Sequence, residues 1–303
     1  MDRRETEITA KSDFLDTVPR PVVGKSLELA EFDELHPHAH RKSQLLYVVE
    51  GVITVTAASG IWTVPPSCAI WIPGGCIHTA RVVGTVSVRC LYVEPEVSAS
   101  LQAECGIIFV QPLLRALILR FAAGPLLYKT GDSREARLVS VLIDELNAAP
   151  EEPLCLPMPT DRRLRRIVEL CLDDPALRLT IDEWGARVGA SNRTLSRRFR
   201  EQTGMPFVKW RQQLHVGLAL QKLASRESVT NVAIDLGYES TSAFIAMFKR
   251  SMGTTPSRYF ADDHFATTAQ PDGTAANRQA ASPNVITFPQ DRKPLPKSDG
   301  SKG

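Results

Sequence analysis

Thr180-Ile-Asp-Glu-Trp-Gly-Ala-Arg-Val188, followed by Gly189-Ala-Ser191 and then Asn192-Arg-Thr-Leu-Ser-Arg-Arg-Phe-Arg-Glu201, is the stretch that decides the fold. It reads as a short helix, a glycine turn and a basic helix that closes at Gly204. Thr180 and Ser191 offer N-cap oxygens, Gly189 tolerates positive φ in the turn, and Gly204 ends the second helix. In that second helix Leu195 and Phe199 lie four apart and share one face, so Arg193, Ser196, Arg197 and Arg200 turn outward.

The pattern occurs twice. Val229-Thr-Asn-Val-Ala-Ile-Asp-Leu236, Gly237-Tyr-Glu239 and Ser240 to Arg250, closing at Gly253, repeat it. Trp184, Val188 and Gly189 return as Val232, Leu236 and Gly237 at an offset of 48, whereas Phe199 and Gly204 return as Phe248 and Gly253 at 49, so the second turn has gained one residue. Joint repetition of buried positions, turn glycine and closing glycine marks two copies of one structural unit. A helical segment from Phe207 to about Ala224 joins them; some 18 residues span about 27 Å, near the ~34 Å between successive major-groove openings on one face of B-DNA.

Charge follows the same division. Residues 160–260 carry 17 Lys plus Arg against 10 Asp plus Glu, a net of +7, while the rest of the chain carries −5 and the whole +2. Such asymmetry is what a phosphate-binding half requires, although glycine-turn helix pairs and solvated arginine faces also occur in domains that never meet DNA.

These residues resemble the DNA-binding domain of the AraC/XylS family of transcription regulators. The likeness is carried by Gly189, Leu195, Phe199 and Gly204 in the first unit, and by Ala233, Gly237-Tyr238, Phe244, Phe248-Lys249, Gly253 and Pro256-Ser-Arg-Tyr259 in the second. It implies an all-α domain with two helix-turn-helix units over 160–260. The first recognition helix would read bases through Arg193, Ser196 and Arg197, with Arg198 and Arg200 nearer the backbone. The second would use Thr241, Ser242 and Ile245, with Lys249 and Arg250 toward phosphates, and would read weakly because Ala246 stands where the family commonly has arginine. It further implies double-stranded DNA, a small-molecule effector and RNA polymerase as partners, a homodimer, and activation more often than repression.

Ahead of this lies a different rhythm. Leu45–Val49, Val52–Ala57, Ile61–Val64, Ala69–Ile72, Thr79–Val83 and Val86–Val93 are six β candidates at short intervals, as in a sandwich or jelly-roll barrel. His38-x-His40-x3-Gln44-x6-Gly51 with Pro73-Gly-Gly75-x2-His78 is similar to the two cupin motifs, which implies an N-terminal all-β cupin-like barrel over 21–110. Metal-binding cupins have a carboxylate at the place of Gln44. Two readings compete: His38, His40, Gln44 and His78 hold a divalent transition metal, the one cofactor candidate, or they line an effector pocket with Tyr47, Trp62 and Trp71. A blander reading leaves His38 and His40 in a surface loop. A cupin enzyme fused to a DNA-binding half is the rival function, and a ligand-independent regulator is the third.

Pro112–Phe121 and Ser133–Asn147 show helical periodicity within 111–149, as a dimerising pair or as a cover for the barrel. Residues 1–20 read as a loose N-terminus, 150–159, rich in proline, as a linker, and 261–303 as a disordered tail. No run of about 18 apolar residues occurs, so no membrane span is expected. The charged start Met1-Asp-Arg-Arg-Glu lacks a signal-peptide core, so the sequence predicts a cytoplasmic protein. The six cysteines show no CxxC or zinc-ribbon spacing and read as buried thiols, with Cys76 near His78 as the one reactive candidate.

Overall fold

The computed structural model describes residues 14–30 and 34–260. Residues 1–13 of the expected loose N-terminus and the expected tail at 261–303 lie outside them.

Among the described residues, the first half is one antiparallel sheet of nine strands that folds over its own core. The strands are β1 (Val22–Leu29), β2 (Glu34–His38), β3 (Ser43–Ala57), β4 (Gly60–Val64), β5 (Cys68–Ile72), β6 (His78–Val93), β7 (Gly106–Phe109), β8 (Glu151–Glu152) and β9 (Cys155–Pro157); the short helix α1 (Pro95–Ser98) follows β6. Four of the six β candidates are halves of two long strands, β3 and β6. Gly51, which reads as a break, takes φ 81° inside β3, where the register against β6 shifts on either side of Glu50. It makes a bulge that bends the strand without ending it.

Alternation along β3 divides the buried side chains between two cores. Leu46, Val48, Ile53 and Val55 enter the barrel interior with Val88, Cys90 and Tyr92 of β6. Leu45 and Tyr47 point the other way, with Trp71 and Leu91, into a second core under α2 (Pro112–Ala123) and α3 (Arg134–Ala148). Leu114, Leu117, Ile118, Val139 and Leu142 fill that core. The inner face of the helical pair therefore covers the sheet.

Two expectations fail for the same reason, an unsatisfied backbone finding a sheet or a cation. The segment expected as a loose N-terminus is tied down over residues 14–20: Leu15 and Val18 are buried, and the Val18 carbonyl accepts from the buried Lys42 ammonium at 2.6 Å. Asp16 accepts from the backbone N–H groups of Arg41 and Lys42, each at 2.7 Å. The proline-rich linker is also strand: β8 pairs with β7, and β9 pairs with β4, with Gly60 opposite Pro157 and Trp62 opposite Cys155. Its prolines are tolerated because β8 and β9 are short and lie at the margin of the sheet.

The second half is helical: α4 (Arg162–Asp173), α5 (Ile181–Val188), α6 (Asn192–Thr203), α7 (Phe207–Ala224), α8 (Val229–Asp235), α9 (Thr241–Met252) and α10 (Pro256–Tyr259). Thr180 and Glu183 form a reciprocal capping box on α5, and Ser191, Ser228 and Ser240 cap α6, α8 and α9. The turn glycines Gly189 and Gly237 and the closing glycines Gly204 and Gly253 all adopt φ between 65° and 74°. The long helix α7 belongs to two cores at once. Its Phe207, Trp210 and Leu214 pack with Trp184, Leu195 and Phe199, while Val216, Ala219, Leu220 and Leu223 pack with Val232, Phe244 and Phe248.

Candidate nucleic-acid interface and barrel centre

On α6 the buried stripe is Leu195, Phe199 and Thr203, and the opposite face carries Arg193, Arg197 and Arg200, all exposed. Arg197 makes a surface ion pair with Glu201 at 2.7 Å. Such a pair is worth little and exchanges readily for a better acceptor. Ser196 is exposed and donates to Asn192 Oδ1 at 3.1 Å. Arg198 is anchored instead, at 2.8 Å from Asp161, the residue that caps α4.

On α9 the buried residues are Phe244, Met247 and Phe248. Ser242, Ala246 and Lys249 are exposed, Thr241 is half-buried, and Ile245 is half-buried against the core of its own unit. Arg250 departs from the expectation. It is exposed, but it lines the space between the two halves, and its Nε–H donates to the Ala246 carbonyl at 3.3 Å.

In the barrel, the antiparallel pairing of β2 with β6 sets His38 directly opposite His78. Gly75 donates its backbone N–H to the His40 carbonyl at 2.7 Å, drawing the Pro73–Gly75 loop onto the segment that carries His40. The ring centroids are then 4.4 Å (His38–His78), 4.9 Å (His38–His40) and 5.5 Å (His40–His78) apart, and one ligand atom from each lies within 4.8 Å of the others. His40 and His78 are buried, so the surface-loop reading does not hold for His40.

The chemistry of the cluster is set by what is left unpaired. Among the described residues, both ring nitrogens of His40 and Oε1 of Gln44 are buried without a hydrogen-bond partner, while Gln44 Nε2 donates to the Tyr92 hydroxyl at 3.2 Å. His78 Nδ1 lies 3.0 Å from the Cys76 carbonyl and His38 Nδ1 lies 2.8 Å from the His36 carbonyl. A carbonyl only accepts, so the hydrogen sits on Nδ1, and in a neutral ring Nε2 is then the nitrogen that carries the lone pair. Burial first, and the neighbouring His38 second, push His40 down to about 4 and His78 down to about 3. Both are therefore neutral near pH 7 and able to ligate. The residues present fit a divalent transition-metal site with a neutral donor set.

The expected effector pocket is not assembled. Tyr47 and Trp71 face the helical pair, where Arg115 Nε donates to the Tyr47 hydroxyl at 3.2 Å and the Trp71 indole donates to the Gln102 carbonyl at 2.9 Å. Their odd spacing from Gln44 and Ile72 on alternating strands already carried that information. Trp62 does face the barrel core. Beside the histidines, however, the interior offers only about 20 Å³. That holds a water or an ion, far below the ~300–1,000 Å³ of small-molecule sites.

The large space lies elsewhere. A cavity of about 1440 Å³ opens between the outer surface of β3 and β4 and helices α7 and α9, bounded by Thr54, Ile61, Leu154, Gln213, Gly217 and Arg250 among others. Direct contacts cross it. Gln221 donates to Thr54 Oγ1 at 2.8 Å, Gln213 to the Pro153 carbonyl at 3.2 Å, and the Trp210 indole to the Pro157 carbonyl at 2.7 Å. The approach is close at Gly217, where an added Cβ would stand 2.9 Å from Thr63 Oγ1 and force that side chain to shift. No local pattern marked Thr54, Thr63 or Gln221, because their roles come from a contact across more than 150 residues.

Comparison with known proteins agrees with both halves. The family model described as an AraC-like ligand binding domain matches residues 30–155, and a helix-turn-helix domain model matches residues 184–262. The HTH-type transcriptional regulator NimR of Escherichia coli (strain K12) is 38% identical over 224 residues, 74% of this chain and 81% of the relative. The HTH-type transcriptional regulator RipA of Corynebacterium glutamicum is 32% identical over 132 residues, 44% of this chain and 38% of its own length. Among solved structures, ToxT from Vibrio cholerae aligns over 79% of this chain and 98% of its own, at 12% identity and a TM-score of 0.34. No described helix is long and apolar enough to cross a membrane. A doubled helix-turn-helix unit behind an AraC-like ligand-binding barrel, with an extensive match to a named regulator, places this chain in the AraC family of DNA-binding transcription regulators.

Proposed function

We propose that this regulator recognises its operator chiefly through α6, with α9 serving to position the duplex, and that a small molecule controls how the two units are presented. The observation that carries the reading is the contrast between matched faces. Arg193, Arg197 and Arg200 stand free of the core on α6, whereas the corresponding stripe on α9 is Ser242, Ile245, Ala246 and Lys249. Arginine forks read guanine O6 and N7, while serine, alanine and lysine contribute contact and charge. Selection from a randomised duplex pool by the full chain tests this: a strong consensus under one unit and a weak one under the other is expected. Two equally strong half-sites would refute it.

The effector's room is the space between the halves, since ligand there touches β3 and α7 together and so biases their arrangement. The barrel centre, by this reading, holds a divalent transition metal on His38, His40 and His78 with Gln44 completing the set, which braces β2, β3 and β6. The bound ion would supply Lewis acidity and a rigid anchor. Protein made without a histidine tag and loaded before dialysis is expected to keep about one ion per chain, the stoichiometry of a closed three-histidine site, and His78→Ala to lose it. Elemental analysis showing no retained metal in the parent chain, or equal retention in the variant, rejects the metal centre. An enzyme is disfavoured: Gln44 stands where a carboxylate is usual, and the relatives matched are named as regulators.

The outer face of the helical pair supports a homodimer. Leu113 is 51% exposed and Val141 37% exposed, while their neighbours Leu114 and Leu142 are spent on the barrel. Leu113→Asp with Val141→Asp is expected to halve the mass in solution while leaving the fold intact; an unchanged mass by light scattering in a folded variant rejects that surface. RNA polymerase completes the set of partners, and run-off transcription with and without the chain tests that contact and its sign.

A further inference from the structure

We propose that Cys76 and Cys105 form an oxidisable dithiol, a modification site at the rim of the barrel that takes hydrogen peroxide as its oxidant. Their sulfurs lie 3.6 Å apart although 29 residues separate them in sequence. Two features bring them together. β5 pairs with β7 so that Trp71 faces Gly106, which sets Cys105 at the end of β5. The turn after β5, closed by the Cys76 N–H to the Pro73 carbonyl at 3.2 Å, then folds Cys76 back over that end. Both thiols are half-buried against the barrel core, and they are reached through exposed neighbours: Gly75 and Ile77 beside one, Glu104 beside the other.

A disulfide needs the sulfurs at about 2.05 Å, an approach of about 1.5 Å from the observed contact. The give is on the Cys76 side, whose preceding Gly75 has φ 79° and no atom near its missing side chain. The chemistry balances in two steps. One thiolate attacks the peroxide, forming an S–O bond as O–O breaks and water leaves after protonation. The second thiolate then attacks that sulfenic sulfur, forming S–S as S–O breaks and a second water leaves. Two sulfurs are each oxidised by one electron and the peroxide is reduced by two.

The cross-link has a reader within the fold. His78 Nδ1 is held by the Cys76 carbonyl at 3.0 Å, so movement of Cys76 toward Cys105 also moves the group that orients His78. That consequence rests on the metal reading above, whereas the dithiol itself does not.

Peptide mapping of the full chain after brief exposure to hydrogen peroxide tests the pair. The expected result is a Cys76–Cys105 linked peptide two mass units lighter than its parts. Titratable thiols should fall from six to four at least tenfold faster than the remaining four react. Cys76→Ser should abolish the fast phase; mapping of the unsubstituted chain stands on its own if Cys105→Ser does not fold. Persistence of six thiols, Cys76 oxidised without joining Cys105, or a Cys105–Cys155 link overturns the proposal. Should the link form while metal retention stays unchanged, the dithiol stands and only its coupling to His78 fails.

Discussion

Replacing Arg197 with alanine is expected to cost about 1–3 kcal/mol at the selected operator and to relax base preference at one position, the range for loss of a bidentate guanine contact. Lys249→Ala should behave differently. A phosphate contact weakens binding to every duplex alike and lowers the slope of log affinity against log salt by about one. Each choice follows from placement: Arg197 lies opposite Leu195 and Phe199 on α6, and Lys249 lies in the last turn of α9, clear of Phe244 and Phe248. Among the described residues, the partner that Arg197 gives up is Glu201, an exposed i,i+4 pair. Titrations of operator and scrambled duplex at two or more salt concentrations decide the matter. If both variants lose affinity equally on both duplexes, the division of labour between α6 and α9 is wrong.

Acid should loosen the DNA-reading half through one residue. His215, buried on α7, has Nε2 3.0 Å from the Pro175 carbonyl and Nδ1 3.0 Å from the Tyr238 hydroxyl, so Nε2 carries the hydrogen and the tyrosine donates to Nδ1. Burial is the main cause that pushes His215 down to about 4, from an ordinary value of 6.5. Because the folded state resists the proton that the unfolded chain accepts, the contribution is complete above about pH 6.5 and is lost as pH falls toward 4. At 1.36 kcal/mol per unit, the loss is about 2 kcal/mol by pH 5 and about 3 kcal/mol by pH 4. His40 and His78 titrate in the same direction, so the measurement is a difference. Urea unfolding of the parent chain and His215→Gln between pH 7.5 and 5 should give a flatter pH dependence for the variant. Parallel curves would remove His215 from the account.

Much of the DNA-reading half was legible from sequence because its rules are local. Thr180 and Ser191 cap helices, four glycines adopt left-handed turns, and Leu195 and Phe199 fix which arginines face out; each inference needs only a few neighbouring residues. The barrel was legible as strands and histidines but not as a site. His38, His40 and His78 converge as the cupin likeness implies, yet Tyr47 and Trp71 belong to another core, and the alternation along β3 and β5 was the overlooked signal. Gly51 looked like a strand end because a bulge and a break use the same residue. Tyr92 beside Gln44, Cys105 beside Cys76 and Gln221 against Thr54 depend on register and docking over long separations, which no local pattern encodes.

The strand β9 pairs through Cys155 and Pro157 with β4, yet Leu156 and Met158 lie in the core that holds Trp184 and Trp210. Eight residues thus serve two masters. Engineers who wish to graft a foreign sensor onto this reading head, or the reverse, have no neutral splice site between 151 and 158. A working chimera must transplant the hem together with Gly60–Trp62 on one side and the Trp210 socket on the other, and a hybrid joined within that hem should misfold on both sides of the cut.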